Sequence, residues 1–293
     1  MESMLPQLNL LNYNLKGEIY MKTIWTLFLT LFLSLNFATA QDTLYVYKAG
    51  AVIYKQAVSD VDSVTFYKPY FPTQGLIAWW PFNGNGNDMS GNGNNGTVHG
   101  ATLSSDRFGI TNRAYSFNGI SNYIDVPNAT VLNPTTALTI SVWVQSTSTQ
   151  GNAGIIGKWN NFGGASQNGQ EQYTITTGSV GKTGLTSYLK TVGKSQSFVQ
   201  EVTNTYNNGN WNHFVSVWDG TSLKLYKNNA LLSTSLYTGI IPSYNQALEI
   251  GRYAGGQMTT EPNNNYFNGK IDDIGIWNRA LTLQEISNLY NSK

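Results

Sequence analysis

The 293-residue chain contains no cysteine. Disulfides, thiolate metal ligands, cysteine nucleophiles and a lipid-modified N-terminal cysteine are therefore excluded. Charge is scarce too. Asp, Glu, Lys and Arg make up 11% of residues, and the formal net charge is +1. No block of Lys and Arg occurs, so the footprint of a nucleic-acid binder is missing. Beyond residue 40 no stretch is apolar enough to span a bilayer. What the chain does have is 41% hydrophobic and 13% aromatic residues, enough to bury a core. Its polarity comes from Asn, Gly, Ser, Thr and Tyr. Such surfaces bind through hydrogen bonds and ring stacking.

The stretch MKTIWTLFLTLFLSLNFATAQ begins at Met21 with a basic Lys22, runs apolar from Ile24 to Phe37 and ends in Ala38-Thr39-Ala40. A short basic start, a brief apolar core and A-x-A describe a cleavable secretory signal. The apolar run is shorter than the roughly 20 residues a membrane span needs. Residues 21–40 are read as the signal peptide and Met21 as the start. Residues 1–20 do not fit a signal's n-region and are read as untranslated or unstructured. The mature chain would be secreted or periplasmic and begin at Gln41.

Residues 41–70 carry a small β leader. Leu44 and Val46, then Val52 and Tyr54, alternate around Ala49-Gly50 as in a hairpin, and Val61, Val64 and Phe66 suggest one more strand. Pro69 and Pro72 interrupt the pattern, and 71–74 read as a linker. From Gly75 onward strands dominate. Leu138, Ile140, Val142 and Val144 share one face of a strand, as do Trp211, His213, Val215 and Val217. Asn228-Asn229 sits at a hairpin turn, where Asn tolerates positive φ. Asp272, Ile274 and Ile276 share parity. Thr282 and Glu285 form a capping box for one helix, with Leu283, Ile286 and Leu289 as its apolar stripe. The fold class is all-β: a sandwich or barrel with a short C-terminal helix.

Four blocks in order then carry a resemblance: GLIAWWPFNGNGNDMSGNGNNGTVHGATLSSDRFG, RAYSFNGISNYIDVP, NWNHFVSVWDGTSLKLYKNN and NGKIDDIGIWNRALTLQEISNLYN. They resemble LamG-like jelly-roll domains of the concanavalin A-like lectin/glucanase superfamily over about residues 75–293. The resemblance implies a jelly-roll sandwich of two antiparallel sheets. It leaves function open among lectins, adhesion modules and glycanases.

GNGNNG at 91–96 formally matches G-x-G-x-x-G, but TVHGATL follows it instead of a helix, which argues against a phosphate loop. Calcium takes six to eight oxygens from carboxylates, amides and carbonyls, and this loop offers Asp88, Asn92, Asn94 and Asn95. Asp272, read as inward-pointing, would supply a second charge. The resemblance implies a structural Ca²⁺ between the two motifs, on Asp88, Asn94, Asn95 and Asp272. The alternative is that Asp88 caps an Asx turn and Asp272 accepts hydrogen bonds.

No catalytic residue is assigned. Glycanases of the superfamily carry paired carboxylates as E-x-D-x-x-E, and no glutamate here is followed by x-Asp. Asp272 and Asp273 alternate on a strand and would face opposite ways. His213 shares parity with Val215 and Val217 and reads as a packed, hydrogen-bonded residue. A glycan site would draw on Trp159 and Asn160, with Asn161 and Phe162, in one loop, and on Arg252, Tyr253 and Tyr266, with Asn264, in another; Trp159 could equally seal the sandwich. The sequence points to a non-enzymatic lectin-like or adhesion module whose partner is a glycan or an extracellular protein, stabilised by calcium. A protein-binding structural module without a sugar site is the second reading, and a glycoside hydrolase the third. N-terminal sequencing of exported protein is expected to give Gln41, possible only if cleavage follows Ala40; intact Met21 in the membrane fraction would refute the signal.

Overall fold

The computed structural model describes residues 43–48, 51–60, 71–160, 169–178, 184–203, 205–253 and 266–292. The signal segment and its cleavage site, the third leader strand, Asn161, Phe162 and Asn264 lie outside them. No helix among the described residues is long and apolar enough to cross a membrane. The chain divides into two compact units, Met1–Lys68 and Pro69–Lys293. In the first, β1 (Thr43–Lys48) and β2 (Ala51–Ala57) pair antiparallel, with Val46 opposite Tyr54. This is the expected hairpin.

The second unit holds β3 (Leu76–Trp80), β4 (Thr97–His99), β5 (Thr102–Ser104), β6 (Ala114–Asn118), β7 (Tyr123–Val126), β8 (Leu138–Gln145), β9 (Gly154–Asn160) and β10 (Gln170–Thr177). It continues with β11 (Leu185–Leu189), β12 (Ser197–Gln200), β13 (Trp211–Trp218), β14 (Ser222–Lys227), β15 (Ala230–Leu236), β16 (Leu248–Ile250), β17 (Asn268–Trp277) and α1 (Leu283–Asn291). One sheet has seven strands in the order β12-β11-β10-β9-β16-β7-β4. The other has eight, β15-β14-β13-β8-β17-β6-β5, and β3 also pairs with β17. All strand pairs are antiparallel, as a jelly-roll sandwich requires.

Alternation decides which side chains enter the core. Leu138, Ile140, Val142 and Val144 of β8 pack with Phe214, Trp218, Ile124, Ile156, Ile175 and Ile250 between the sheets. Val215 and Val217 face the other way, where Trp277, Leu281, Ile286 and Leu289 seat α1. The eight-stranded sheet is thus covered on both faces. Asn228 and Asn229 have φ of 47° and 69°, the geometry a two-residue hairpin turn needs. Thr282 and Glu285 form the capping box reciprocally.

Residues 71–74, read above as linker, belong to this second unit. The Phe71 ring lies 4.6 Å from Trp79. Trp277 Nε1 donates to the Pro72 carbonyl at 2.7 Å, and Asn278 N donates to the Gly75 carbonyl at 2.9 Å. The start of the unit is thereby clasped to the end of β17.

Parity misplaced Asp272. The pairing of β17 with β8 slips between Asp272 and Gly275, and Asp273 adopts φ of 44°. This bulge shifts the alternation by one residue. Ile271, Ile274 and Ile276 therefore share the core. Asp272 lies on the α1 face, opposite Trp143 in the pairing. Nor do Asp272 and Asp273 face opposite ways. Arg107 Nη1 reaches both, 3.0 Å from Asp272 Oδ2 and 2.5 Å from Asp273 Oδ2. Burial, reinforced by Asp273, pushes the Asp272 carboxyl up to about 8 against the pull of Arg107.

His213 is packed, as its parity indicates. Its Nε2 lies 2.7 Å from Ser141 Oγ, and its ring stacks on Trp143 at 4.9 Å. Burial, aided by nearby Arg107, lowers its pKa to about 3. Between pH 3 and the ordinary histidine value near 6.5, the unfolded chain binds a proton that the folded chain refuses. The stability from a neutral His213 is complete above pH ~6.5 and is lost as pH falls, by up to ~1.4 kcal/mol per unit. Thermal melting from pH 7 to pH 4 is expected to show this fall, and His213→Gln to flatten it. An equal pH slope in the variant would refute the assignment.

Candidate functional site

The glycine- and asparagine-rich loop after β3 is organised around Asp88. Oδ1 accepts from Trp79 N at 2.9 Å and Ser90 N at 2.8 Å. Oδ2 accepts from Asn94 N at 2.9 Å and Ser90 Oγ at 2.9 Å. Asn95 Oδ1 in turn accepts from Asp88 N at 3.0 Å. Asn94 reaches back to strand β3, donating Nδ2 to the Ile77 carbonyl at 2.9 Å, while its own carbonyl accepts from Trp80 Nε1 at 2.8 Å. Gly91 and Gly93 supply the positive φ, 90° and 74°, that folds the loop onto its carboxylate.

This donor set does not fit a calcium site. Four donors aimed at Asp88 use the lone pairs that a cation would need. Arg107 occupies Asp272 Oδ2, and burial favours the neutral form of that carboxyl. No group of three or more His, Cys, Asp or Glu among the described residues is placed to hold a metal. The loop is an Asx-type knot that ties residues 88–95 to β3. Asp88→Asn is expected to cost about 2 kcal/mol, because it turns an acceptor of a buried N–H into a donor. Melting temperature should be equal in EDTA and in millimolar calcium; a calcium-dependent rise lost in Asp88→Asn would restore the metal.

The four aromatic and basic candidates gather on the outer face of the seven-stranded sheet. Leu248 and Ile250 point into the core, so Glu249 between them points out, opposite Asp125 of β7. Arg252 lies over this face. Its Nε is 2.6 Å from Glu249 Oε2, and its Nη2 bonds Oε1. Its guanidinium carbon stands 3.6 Å from the Tyr123 ring centre and 6.0 Å from that of Tyr266. Burial opposes the Arg252 charge, and the Glu249 carboxylate outweighs it, so its pKa is raised. Backbone bridges hold Tyr266 against both Gly154 and Arg252. A side chain at Gly154 would come within 2.3 Å of the Arg252 backbone. His99 stacks on Tyr123 at 4.3 Å, with Nε2 2.5 Å from Asp125 Oδ1.

Trp159, opposite Glu171 in the pairing, is 3% exposed. Its ring lies 5.9 Å from Tyr188, which lies 5.7 Å from Phe198. Tyr253 bonds Trp159, and burial, with Glu171 and Tyr188 beside it, raises its pKa. Lys190 Nζ is 3.4 Å from Glu171 Oε2. Asn160 is half-buried, and its Oδ1 has no hydrogen-bond partner. Sequence reasoning missed His99, Tyr123, Asp125, Glu171, Tyr188 and Glu249. The signal was present in Leu-Glu-Ile and Ile-Asp-Val, where one charged residue alternates with two core residues.

Residues 118–287, more than half of the chain, match the Laminin_G_3 family of the concanavalin A-like lectin/glucanases superfamily. The chain belongs to that family. No curated protein matches it in sequence. Among solved structures, the binding domain of Paraclostridial Mosquitocidal Protein 1 superposes with a TM-score of 0.58 at 17% identity, over 75% of this chain and 52% of that one. The botulinum neurotoxin DC binding domain in complex with rat synaptotagmin II gives 0.55 at 19% identity, over 75% and 52%. Domain 4 of AbnA, a GH43 extracellular arabinanase from Geobacillus stearothermophilus, in complex with arabinotriose, gives 0.53 at 17% identity, over 74% and 98%. The chain spans about half the length of the toxin domains it matches. These likenesses establish the jelly-roll fold that this Laminin_G_3 chain shares.

Proposed function

We propose that this chain is an exported, non-catalytic carbohydrate-binding module whose sugar site is the outer face of the seven-stranded sheet. The observation that carries the reading is the row of aromatic side chains across that face, Tyr123 and Tyr266 beside Arg252 at one end and Tyr253, Tyr188 and Phe198 toward the other, with paired polar groups among them. Sugars offer C–H faces to aromatic rings and hydroxyl edges to such polar groups. The lectin branch of the superfamily supports the reading, as does the arabinotriose complex of AbnA domain 4. Export rests on the signal-like segment before Gln41.

The same face argues against hydrolysis. A glycosidase needs two carboxyl groups ~5–10 Å apart, one of them free to give a proton and the other free to attack or activate water. Glu249 is held by Arg252, Asp125 by His99 and Glu171 by Lys190. A protein-binding module without a sugar site is the second reading. It is favoured by Leu231, Leu232 and Leu236, which stand exposed on the edge strand β15.

Affinity electrophoresis against a polysaccharide panel tests the proposal. Retardation is expected with at least one polysaccharide. Tyr123→Ala should weaken it about tenfold, the ~1.4 kcal/mol of a lost stacking contact, and no reducing sugar should be released. Retardation by none of the panel would refute the sugar site, and sugar release abolished by a single Asp or Glu substitution would refute the non-catalytic reading.

A further inference from the structure

We infer that this face takes neutral oligosaccharides and turns away glycans bearing uronic or sialic acids; the inference rests on the sugar-binding reading above. An anionic sugar is held by a cation that no carboxylate already neutralises, because its own carboxylate loses water on binding and must be repaid by charge-assisted hydrogen bonds. The face presents no such cation among the described residues. Arg252 is the one guanidinium there. Both its Nε and its Nη2 are committed to Glu249, and its plane is pressed against Tyr123. Glu249 is itself 8% exposed, so water does not weaken its hold. Lys190 answers Glu171. His99 answers Asp125 and carries charge only when protonated.

Lys158, the remaining basic residue in these strands, pairs with Tyr173 of the core, on the inner register. Its ammonium is enclosed by Asn128 Oδ1 at 2.5 Å, Asn133 Oδ1 at 2.6 Å and the Tyr244 carbonyl at 3.4 Å. Among the described residues, two permanent cations thus face three carboxylates. An approaching sugar carboxylate meets a neutral to slightly negative surface, and at close range like charges repel even in salt. A neutral sugar meets ring faces and carboxylate or imidazole edges that accept or donate hydrogen bonds without that repulsion.

The masking groups predict a gain of function. Glu249→Gln keeps an acceptor for Arg252 but removes the charge that neutralises it. Glu171→Gln does the same for Lys190, at a separate point on the face. Binding of the full chain and each variant is measured by titration calorimetry with two neutral polysaccharides, arabinan and galactomannan, and two anionic ones, polygalacturonate and polysialic acid. Melting curves establish that each variant is folded. The wild type should bind a neutral polymer at least tenfold more tightly than either anionic one. At least one folded variant should gain tenfold or more for an anionic polymer, with a gain that disappears at high salt. Preference of the wild type for an anionic polymer overturns the inference and leaves the sugar site standing. Neutral binding with no anionic gain in the folded variants overturns the masking by Glu249 and Glu171. Binding to none of the four overturns the sugar-binding reading, and this inference falls with it.

Discussion

The bulge at Asp272–Asp273 in β17 is the constraint on which both faces of the eight-stranded sheet depend. β17 pairs with β8 along one edge, and on its other edge with β6 up to Ile271 and with β3 from Ile274. One extra residue at the changeover lets a single strand serve two partners and still keep Ile271, Ile274 and Ile276 in the core. The carboxyl groups displaced by the bulge, Asp272 buried and Asp273 half-buried, share the Arg107 guanidinium. Arg107 also lies over Trp143, with its guanidinium carbon 4.7 Å from the ring centre. Trp143 in turn stacks on Tyr290 of α1 at 5.8 Å. The backbone irregularity, the ion pair and the seating of the helix are one connected arrangement.

The seven-stranded sheet is built on the opposite logic. Its inner register carries core side chains together with the enclosed Lys158, and its outer face, among the described residues, presents aromatic and charge-paired side chains. Arg252 acts there as a planar spacer between Tyr123 and Tyr266, fixed by the two oxygens of Glu249. A guanidinium locked in this way contributes shape and stacking more than charge. Rigid aromatic surface held in place before a ligand arrives lowers the ordering cost of binding, as the proposed sugar site requires.

Much of the fold was legible in the sequence because period-2 alternation survives wherever a strand is regular, as in β8 and β13. Asn228-Asn229 and the Thr282–Glu285 box were legible because their chemistry is local. The bulge was not: two adjacent aspartates carry no mark of which one slips, and the parity argument for Asp272 failed at that step. The role of Asp88 was half legible. Its loop composition suits calcium ligands and Asx turns alike, and the donors that occupy it are mostly backbone N–H groups, which composition does not reveal. The candidate site was legible residue by residue for Trp159, Arg252, Tyr253 and Tyr266. Its assembly was not, because Tyr123 and Glu249 meet only through the pairing of β7 with β16, which are more than a hundred positions apart.

The clasp between residues 72–75 and the end of β17 has a mechanical consequence. Leu76, at the start of β3, lies opposite Trp277, at the end of β17, so β3 begins where β17 ends, at one end of one antiparallel pair. Tension applied through Phe71 on one side and Asn278 on the other would load that pair as a zipper, opening its hydrogen bonds in succession, rather than shearing them all at once. The Trp277 Nε1 bond to Pro72 and the Arg279 Nε bond to the Gln74 carbonyl, 2.7 Å each, would bear the load first. The resistance of this pair to force lies in those few contacts and in the packing of Phe71, while the seven-stranded sheet, which contains neither β3 nor β17, stays outside the line of pull.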